Sequence, residues 1–249
     1  MTSPSPSGRA AREKFVIAID GPAGTGKSTV AQRVARSLTA GYLDTGAMYR
    51  VVTLAVLDAG LDPADDRAVA QLLPTLTFDS PVHAGRQRHE WAGRDVSTEI
   101  RGPAVTVAVT PVSANPAVRA YLLGRQRELA TRGRMVVEGR DIGTVVVPDA
   151  DLKIYLTADA DERARRRYRQ NSSAGLAPAG SAQRGGSSSP AADLAAVALD
   201  LDRRDTRDST RQHAPLQAAT DALVIDSSTL AVDETVARVL ALAAARGIR

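Results

Sequence analysis

Residues 21–28 read Gly-Pro-Ala-Gly-Thr-Gly-Lys-Ser, the spacing G-x-x-x-x-G-K-[ST] of a phosphate-binding loop. The chemistry accounts for the spacing. Gly21, Gly24 and Gly26 let the backbone turn tightly and aim several N–H groups at one anion. Lys27 adds a full positive charge for the outer phosphates, and the Ser28 hydroxyl suits the magnesium ion that travels with them. The flanks fit the motif. Before it stands Phe15-Val-Ile-Ala-Ile-Asp20, an apolar run that reads as a buried parallel strand. After it Val30, Val34 and Leu38 recur every four residues, which reads as a helix. Strand, glycine loop and helix in that order place a helix N-terminus, with its partial positive charge, at the anion.

Composition narrows the remaining choices. At 249 residues with 43% hydrophobic content, the chain is long enough for a substantial core. It has no cysteine, which excludes disulfides, thiolate chemistry and sulfur-ligated zinc. His83, His89 and His213 are too scattered to suggest a metal cluster. No apolar run approaches the roughly 18 residues of a membrane span. Residues 1–12 lack the apolar stretch of a signal peptide and read as a disordered tail, so a cytoplasmic protein is expected. Of 32 basic residues only Lys14, Lys27 and Lys153 are lysine, and the rest are arginine. With 3% aromatics and arginines interleaved with acids, the chain does not read as a nucleic-acid binder. Guanidinium suits bidentate phosphate binding on small nucleotides.

Alternation of strand-like and helix-like segments predicts a parallel sheet flanked by helices. Strands are expected at 15–20, 42–44, 135–138, 151–156 and 223–226. Helices are expected from 45 to about 59, 63 to 73, 116 to 132, 159 to 170 and 191 to 208, with a last one through Ala245. Between them Thr75-Leu-Thr-Phe78, His89-Glu-Trp91 and Arg94-Asp-Val96 suggest a small β-rich insert running to about Val112. Residues 171–190 have the Gly/Ser-rich composition of a linker, and the charged helices on either side suggest the tip of a mobile lid.

Four further clusters carry chemistry. Asp44-Thr-Gly-Ala-Met-Tyr-Arg50 sits where the second strand meets its helix, with Thr45 as a candidate cap and Arg50 within reach of an anion. Glu138-Gly-Arg-Asp-Ile-Gly143 follows a strand whose end faces the same crevice, and there Arg140 and Asp141 could bind a phosphate and a base amino group. Arg163, Arg166 and Arg167 share a helix face with no acid between them, an arrangement that repels itself without an anion. Arg204, Asp208 and Arg211 share another face, where a self-satisfied ion-pair ladder is the rival reading. One loop implies one nucleotide; three more arginine groups imply a second phosphorylated ligand.

Taken together, Ile19-Asp-Gly-Pro-Ala-Gly-Thr-Gly-Lys-Ser28, Leu43-Asp-Thr-Gly-Ala-Met-Tyr-Arg50, Gly139-Arg-Asp-Ile-Gly-Thr-Val-Val146 and Arg204-Asp-x-x-Asp-x-x-Arg211 resemble bacterial cytidylate kinases, of the nucleoside monophosphate kinase group. The resemblance runs from about Phe15 to Leu240. It implies an α/β P-loop kinase of three layers, with residues 13–249 as the core. It also implies an acceptor-binding insert at 72–112 and a helical lid at 159–192. The implied reaction moves the γ-phosphoryl group of ATP, with Mg2+, to CMP or dCMP. By position, Gly21, Pro22, Ala23, Gly24, Thr25, Gly26, Lys27, Ser28 and Thr29 would hold ATP, and Ser28 the magnesium. Thr45, Arg50, Arg101, Thr110, Arg119, Arg140, Asp141, Arg204, Asp208 and Arg211 would form the acceptor site. Lys27, Arg163, Arg166 and Arg167 would carry the catalytic charge, and Asp44 would hold magnesium through water. The linker at 171–190 is longer and richer in Gly/Ser than the family leads one to expect.

The chemistry is consistent with this. A phosphate acceptor, with a second pKa near 6, is largely ionised at neutral pH and needs no general base. What remains is to align two repelling anions, neutralise charge and exclude water. A carboxylate accepts from the cytosine amino group and repels the uracil carbonyl. Asp141 is the candidate for that contact, with Arg119 donating to the cytosine carbonyl. The expected protein is a monomer that binds ATP and CMP or dCMP and neither nucleic acid nor membrane. Two alternatives remain open at this point: a P-loop kinase for another small acceptor such as UMP or shikimate, and a nucleotide-binding switch protein. The switch would carry a guanine-reading N-K-x-D segment, which the chain lacks.

Overall fold

Apolar residues alternate sides along the first strand, and that alternation sets the architecture. In the computed structural model, which describes residues 13–173, 190–211 and 214–249, β1 (Phe15–Asp20) is buried along its whole length. Val16 and Ala18 face one apolar cluster, while Phe15, Ile17 and Ile19 face another. A strand buried on both faces requires helices on both sides, the mark of a parallel sheet. The elements follow in order: α1 (Lys27–Ser37), β2 (Gly41–Asp44), α2 (Thr45–Asp58) and α3 (Asp66–Leu72). Five two-residue strands come next: β3 (Phe78–Asp79), β4 (Val82–His83), β5 (Arg86–Gln87), β6 (Glu90–Trp91) and β7 (Arg94–Asp95). The chain continues with α4 (Pro103–Ala114), α5 (Pro116–Ala130), β8 (Arg134–Glu138) and β9 (Leu152–Thr157). It closes with α6 (Ala160–Ser173), α7 (Pro190–Ser209), β10 (Leu223–Asp226) and α8 (Val232–Ala245).

The main sheet has the order β10-β9-β1-β8-β2 with every pairing parallel. On one face, α1 and α8 pack through Val30, Val34, Val236 and Val239. On the other, α2, α4 and α5 pack through Met48, Val51, Val105, Val112, Val118 and Leu122. Burying an isoleucine such as Ile17 or Ile19 completely contributes about 2–3 kcal/mol. This is the three-layer α/β arrangement expected from the sequence. The carboxyl ends of β1, β2 and β8 open on one crevice, the place where such sheets take ligands.

Two expectations are corrected. The small strands form a three-stranded antiparallel piece, β3-β6-β7, and a two-stranded one, β4-β5. The β-rich character stops there, because residues 103–114 are helical rather than part of a β insert reaching Val112. The segment Pro-Ala-Val-Thr-Val-Ala-Val-Thr is rich in β-branched residues, which favour strands on propensity. Pro103 at the first helical turn and the buried set Val105, Ala108 and Val112 on one face override it. The second correction is the cap of α2. Asp44 takes that role, its Oδ1 accepting from the Ala47 N–H at 2.9 Å, while Thr45 Oγ1 donates to the Glu138 carbonyl at 2.8 Å. The expected disordered tail at 1–12 and most of the 171–190 linker lie outside the described residues, as does His213.

Candidate active site

The phosphate loop joins β1 to α1 and is shaped by its glycines. Gly21 has φ +143°, and a Cβ there would stand 2.0 Å from the Leu156 carbonyl oxygen of β9. Gly24 and Gly26 have φ +81° and +87°, a region that side-chain-bearing residues avoid. Four of the loop's carbonyls accept from side chains. Gly21 O accepts from Arg140 at 3.1 Å, and Pro22 O from Lys27 Nζ at 2.6 Å. Ala23 O accepts from Arg163 at 3.2 Å. Thr25 O accepts from Arg166 at 3.2 Å and from Ser227 Oγ at 3.3 Å.

Behind the loop lies a buried charge cluster. Lys27 is 7% exposed; burial, and then Arg140, pull its pKa below the usual lysine range. Glu138, 4% exposed at the end of β8, is pushed up by burial and by Asp44, with Lys27 opposing. Tyr42 donates its hydroxyl to Glu138 Oε1, and the nearby Ser28 hydroxyl favours the charged form of the same carboxylate. Glu138 Oε2 is buried with no partner. Asp20 closes the end of β1 by accepting from the N–H groups of Ile142 at 2.9 Å and Gly143 at 2.8 Å. Burial lifts its pKa to about 6.

From the loop a crevice of 730 Å3 extends toward α4 and α7. Arg50 on α2 is held by the Ile100 carbonyl at 3.1 Å and Thr106 Oγ1 at 3.0 Å. Burial lowers its pKa to about 10, Asp44 opposes that, and Arg101, Arg167 and Arg204 add repulsion. Arg101 reaches Asp44 Oδ2 at 3.2 Å. At the far wall Arg119 pairs with Asp141 and lies 5.8 Å from the Tyr49 ring centroid. Asp208 bridges two arginines, Arg140 at 2.9 Å and Arg211. Arg204 pairs with Asp200 one turn back, at 2.9 Å. Of the ion-pair ladder considered from the sequence only the Asp208–Arg211 step forms, Arg204 taking Asp200 instead, and all three of its members line the crevice.

All ten residues assigned to the acceptor, Thr45, Arg50, Arg101, Thr110, Arg119, Arg140, Asp141, Arg204, Asp208 and Arg211, lie on this wall. So do residues 23–29 of the loop, together with Arg166 and Arg167. Gly21 and Pro22 stand behind it. Arg163 departs from expectation: it does not line the crevice but pairs with Asp205 and Ala23 on the loop's outer side. The sequence shows no acid between the three helix arginines, yet two of them have one: Glu162, one turn back on α6, pairs with Arg166, and the fold brings Asp205 to Arg163. Arg167 alone of the three stays turned to the cationic cluster.

Sequence reasoning missed Glu138 as a charged member of the site, and Asp205 and Ser227 as its supports. Glu138 is an acid at the carboxyl end of a buried strand, where such sheets take their ligands, a signal that was available. Asp205 and Ser227 reach the loop from 182 and 202 residues away, and no local pattern could have shown that. Among the described residues no group of three or more His, Asp or Glu is placed to hold a metal by itself, so any ion here would share its coordination with phosphate and water.

Named relatives share this sequence over most of its length. A family model described as cytidylate kinase matches residues 17–245. A cytidylate kinase from Mycolicibacterium paratuberculosis (strain ATCC BAA-968 / K-10) is 55% identical over 216 residues, covering 86% of this chain and 89% of the relative. One from Rhodococcus opacus (strain B4) is 49% identical over 233 residues, covering 93% and 96%. Among solved structures, a shikimate kinase from Acinetobacter baumannii, in complex with shikimate, aligns over 97% of both chains at 14% identity with a TM-score of 0.42.

Proposed function

The chain belongs to the cytidylate kinase family, and we propose from its geometry how the crevice serves that chemistry. It transfers the γ-phosphoryl group of ATP to CMP or dCMP, giving ADP and CDP or dCDP. One observation carries the two-nucleotide reading. Arg50, Arg101, Arg167 and Arg204 converge from four segments on one end of a crevice whose other end is the phosphate loop. Asp44 and Asp200 offset only part of that charge. Guanidiniums held so close repel, and a phosphate monoester is the partner that relieves them.

The residues divide the work. N–H groups of the loop and Lys27 hold the β- and γ-phosphates of ATP. Arg50, Arg101 and Arg204 hold the acceptor phosphate in line, and Arg167 lies between the two. No residue acts as a general base, because the attacking oxygen is already ionised. Asp141 accepts from the cytosine amino group through the oxygen that Arg119 does not use, and Arg119 donates to the ring carbonyl. The Ser28 hydroxyl, the orphaned Glu138 Oε2 and the Asp44 carboxylate form an oxygen-rich pocket that fits magnesium. When bound, that ion would neutralise phosphate charge and fix its orientation. The helices α6 and α7 serve as the lid, and residues 72–112 hold the acceptor side. No helix among the described residues is long and apolar enough to cross a membrane.

An acceptor panel tests this. With ATP and magnesium, ADP release should accelerate only with CMP and dCMP among the common monophosphates and shikimate, with a diphosphate product. No acceleration by CMP would overturn the reading.

A further inference from the structure

The outer face of the phosphate loop is docked into the lid, and one carboxylate ties the two together. Ala23 packs its methyl group beside the small apolar cluster Ala164, Val197 and Leu201. Its N–H donates to Asp205 Oδ1 at 3.2 Å. Its carbonyl accepts from Arg163 at 3.2 Å, and Arg163 pairs with Asp205 Oδ2. Next to it, a Cβ on Gly24 would stand 2.9 Å from the Arg163 carbonyl oxygen. Both backbone polar groups of one loop residue, which belong to two successive peptides, are thus held by a pair whose members come from α6 and α7.

Peptide planarity turns this into a statement about ATP. In a trans peptide the carbonyl and the following N–H point in opposite directions. Holding Ala23 O outward therefore aims the Gly24 N–H the other way, toward the crevice that Gly24 lines. Holding Pro22 O with Lys27 aims the Ala23 N–H outward, onto Asp205. Asp205 and Arg163 set one of the dipoles that would meet phosphate, without touching phosphate themselves.

Stability alone is a poor account of the pair. The side chains are only 14% and 17% exposed, and Arg163 Nε is buried without a partner. A largely buried ion pair contributes little net stability compared with apolar residues of the same shape. What it adds is a fixed geometry.

We propose that Asp205 is a positioning residue for ATP, acting through Arg163 and Ala23 to fix the peptide that aims the Gly24 N–H. This rests on the kinase reading above, but it is tested by direct binding. Magnesium–ATP affinity of the full-length chain is measured by calorimetry, without acceptor, beside melting temperature and the KM for CMP. Asp205→Asn, which keeps an acceptor for the Ala23 N–H but drops the charge holding Arg163, should weaken ATP binding at least fivefold. Asp205→Ala should weaken it about tenfold or more. The KM for CMP should stay within about twofold in both. The double variant Arg163→Met with Asp205→Leu removes the buried charges together. Its melting temperature should return to the wild-type value while ATP binding stays weak. Unchanged ATP affinity in Asp205→Asn, equal losses for both substrates, or ATP affinity that recovers with melting temperature in the double variant would each overturn the proposal. If Asp205→Ala does not fold, Asp205→Asn and the double variant decide. A wild-type chain that binds ATP but ignores CMP would sink the kinase reading and leave this one standing.

Discussion

Arg119 and Asp141 pair across the far wall of the crevice, with side chains only 13% and 10% exposed. In the proposed acceptor site the pair would set a donor against cytosine's carbonyl and an acceptor against its amino group. A uracil would turn a carbonyl toward the carboxylate.

From that pairing, Asp141→Asn should lower kcat/KM for CMP by about 100-fold, the order expected when one good base contact is lost. Turnover of UMP should stay the same or rise. Initial rates with both acceptors at matched ATP check this; equal losses would mean that Asp141 merely orders Arg119.

Lys27 should be needed for turnover and not for folding. Its Nζ donates to the Pro22 carbonyl of its own loop, and burial already disfavours its charge. Lys27→Ala should cut kcat by more than about 100-fold, as loss of one preorganised charge does elsewhere. The melting temperature should fall little or even rise. Retention of more than about a tenth of the rate would contradict the role.

Two glycines of the loop should respond differently. Gly21→Ala places a methyl against the backbone of β9, which cannot yield cheaply, and should cost roughly 3–5 kcal/mol of stability in denaturant unfolding. Gly26→Ala meets nothing within 4 Å and carries only the penalty of its positive φ, about 1–2 kcal/mol. The reverse ranking would mean that the loop is looser than described.

His89 should make stability pH-dependent. It is 2% exposed, its Nδ1 lies 3.0 Å from Ser80 Oγ, and burial pulls its pKa down from 6.5 to about 4. The folded state therefore resists protonation. Its contribution is complete above pH 6.5 and is lost as pH falls toward 4. The integrated effect reaches up to about 3 kcal/mol. Urea unfolding at pH 7 and pH 5 should show the loss, and His89→Gln should flatten the slope attributable to this group.

Much of this architecture can be read from local pattern, and the exceptions share a cause. β1, the phosphate loop and α1 follow from an apolar run, glycine spacing and a four-residue repeat, all within two dozen residues. The helix α4 does not, because its valines and threonines favour strand until Val105 and Val112 find α2. The cap of α2 passes from Thr45 to Asp44 because Thr45 finds the Glu138 carbonyl, a partner 93 residues away. Arg163 looked like its neighbours Arg166 and Arg167 on a helix wheel. Only the arrival of α7, with Asp205, separates its role from theirs. Charge spacing shows that arginines share a face; it does not show which acid the fold delivers to them.

Arg140 has a consequence of its own. One guanidinium spans the carbonyl of Gly21 and the carboxylate of Asp208, so the phosphate loop and the proposed acceptor side have a common wall. Kinetic defects will not sort cleanly by substrate at that wall: changing Asp208 frees Arg140 and disturbs the root of the ATP loop. Cooperation between donor and acceptor can therefore arise in this enzyme through a single side chain, before any lid has moved.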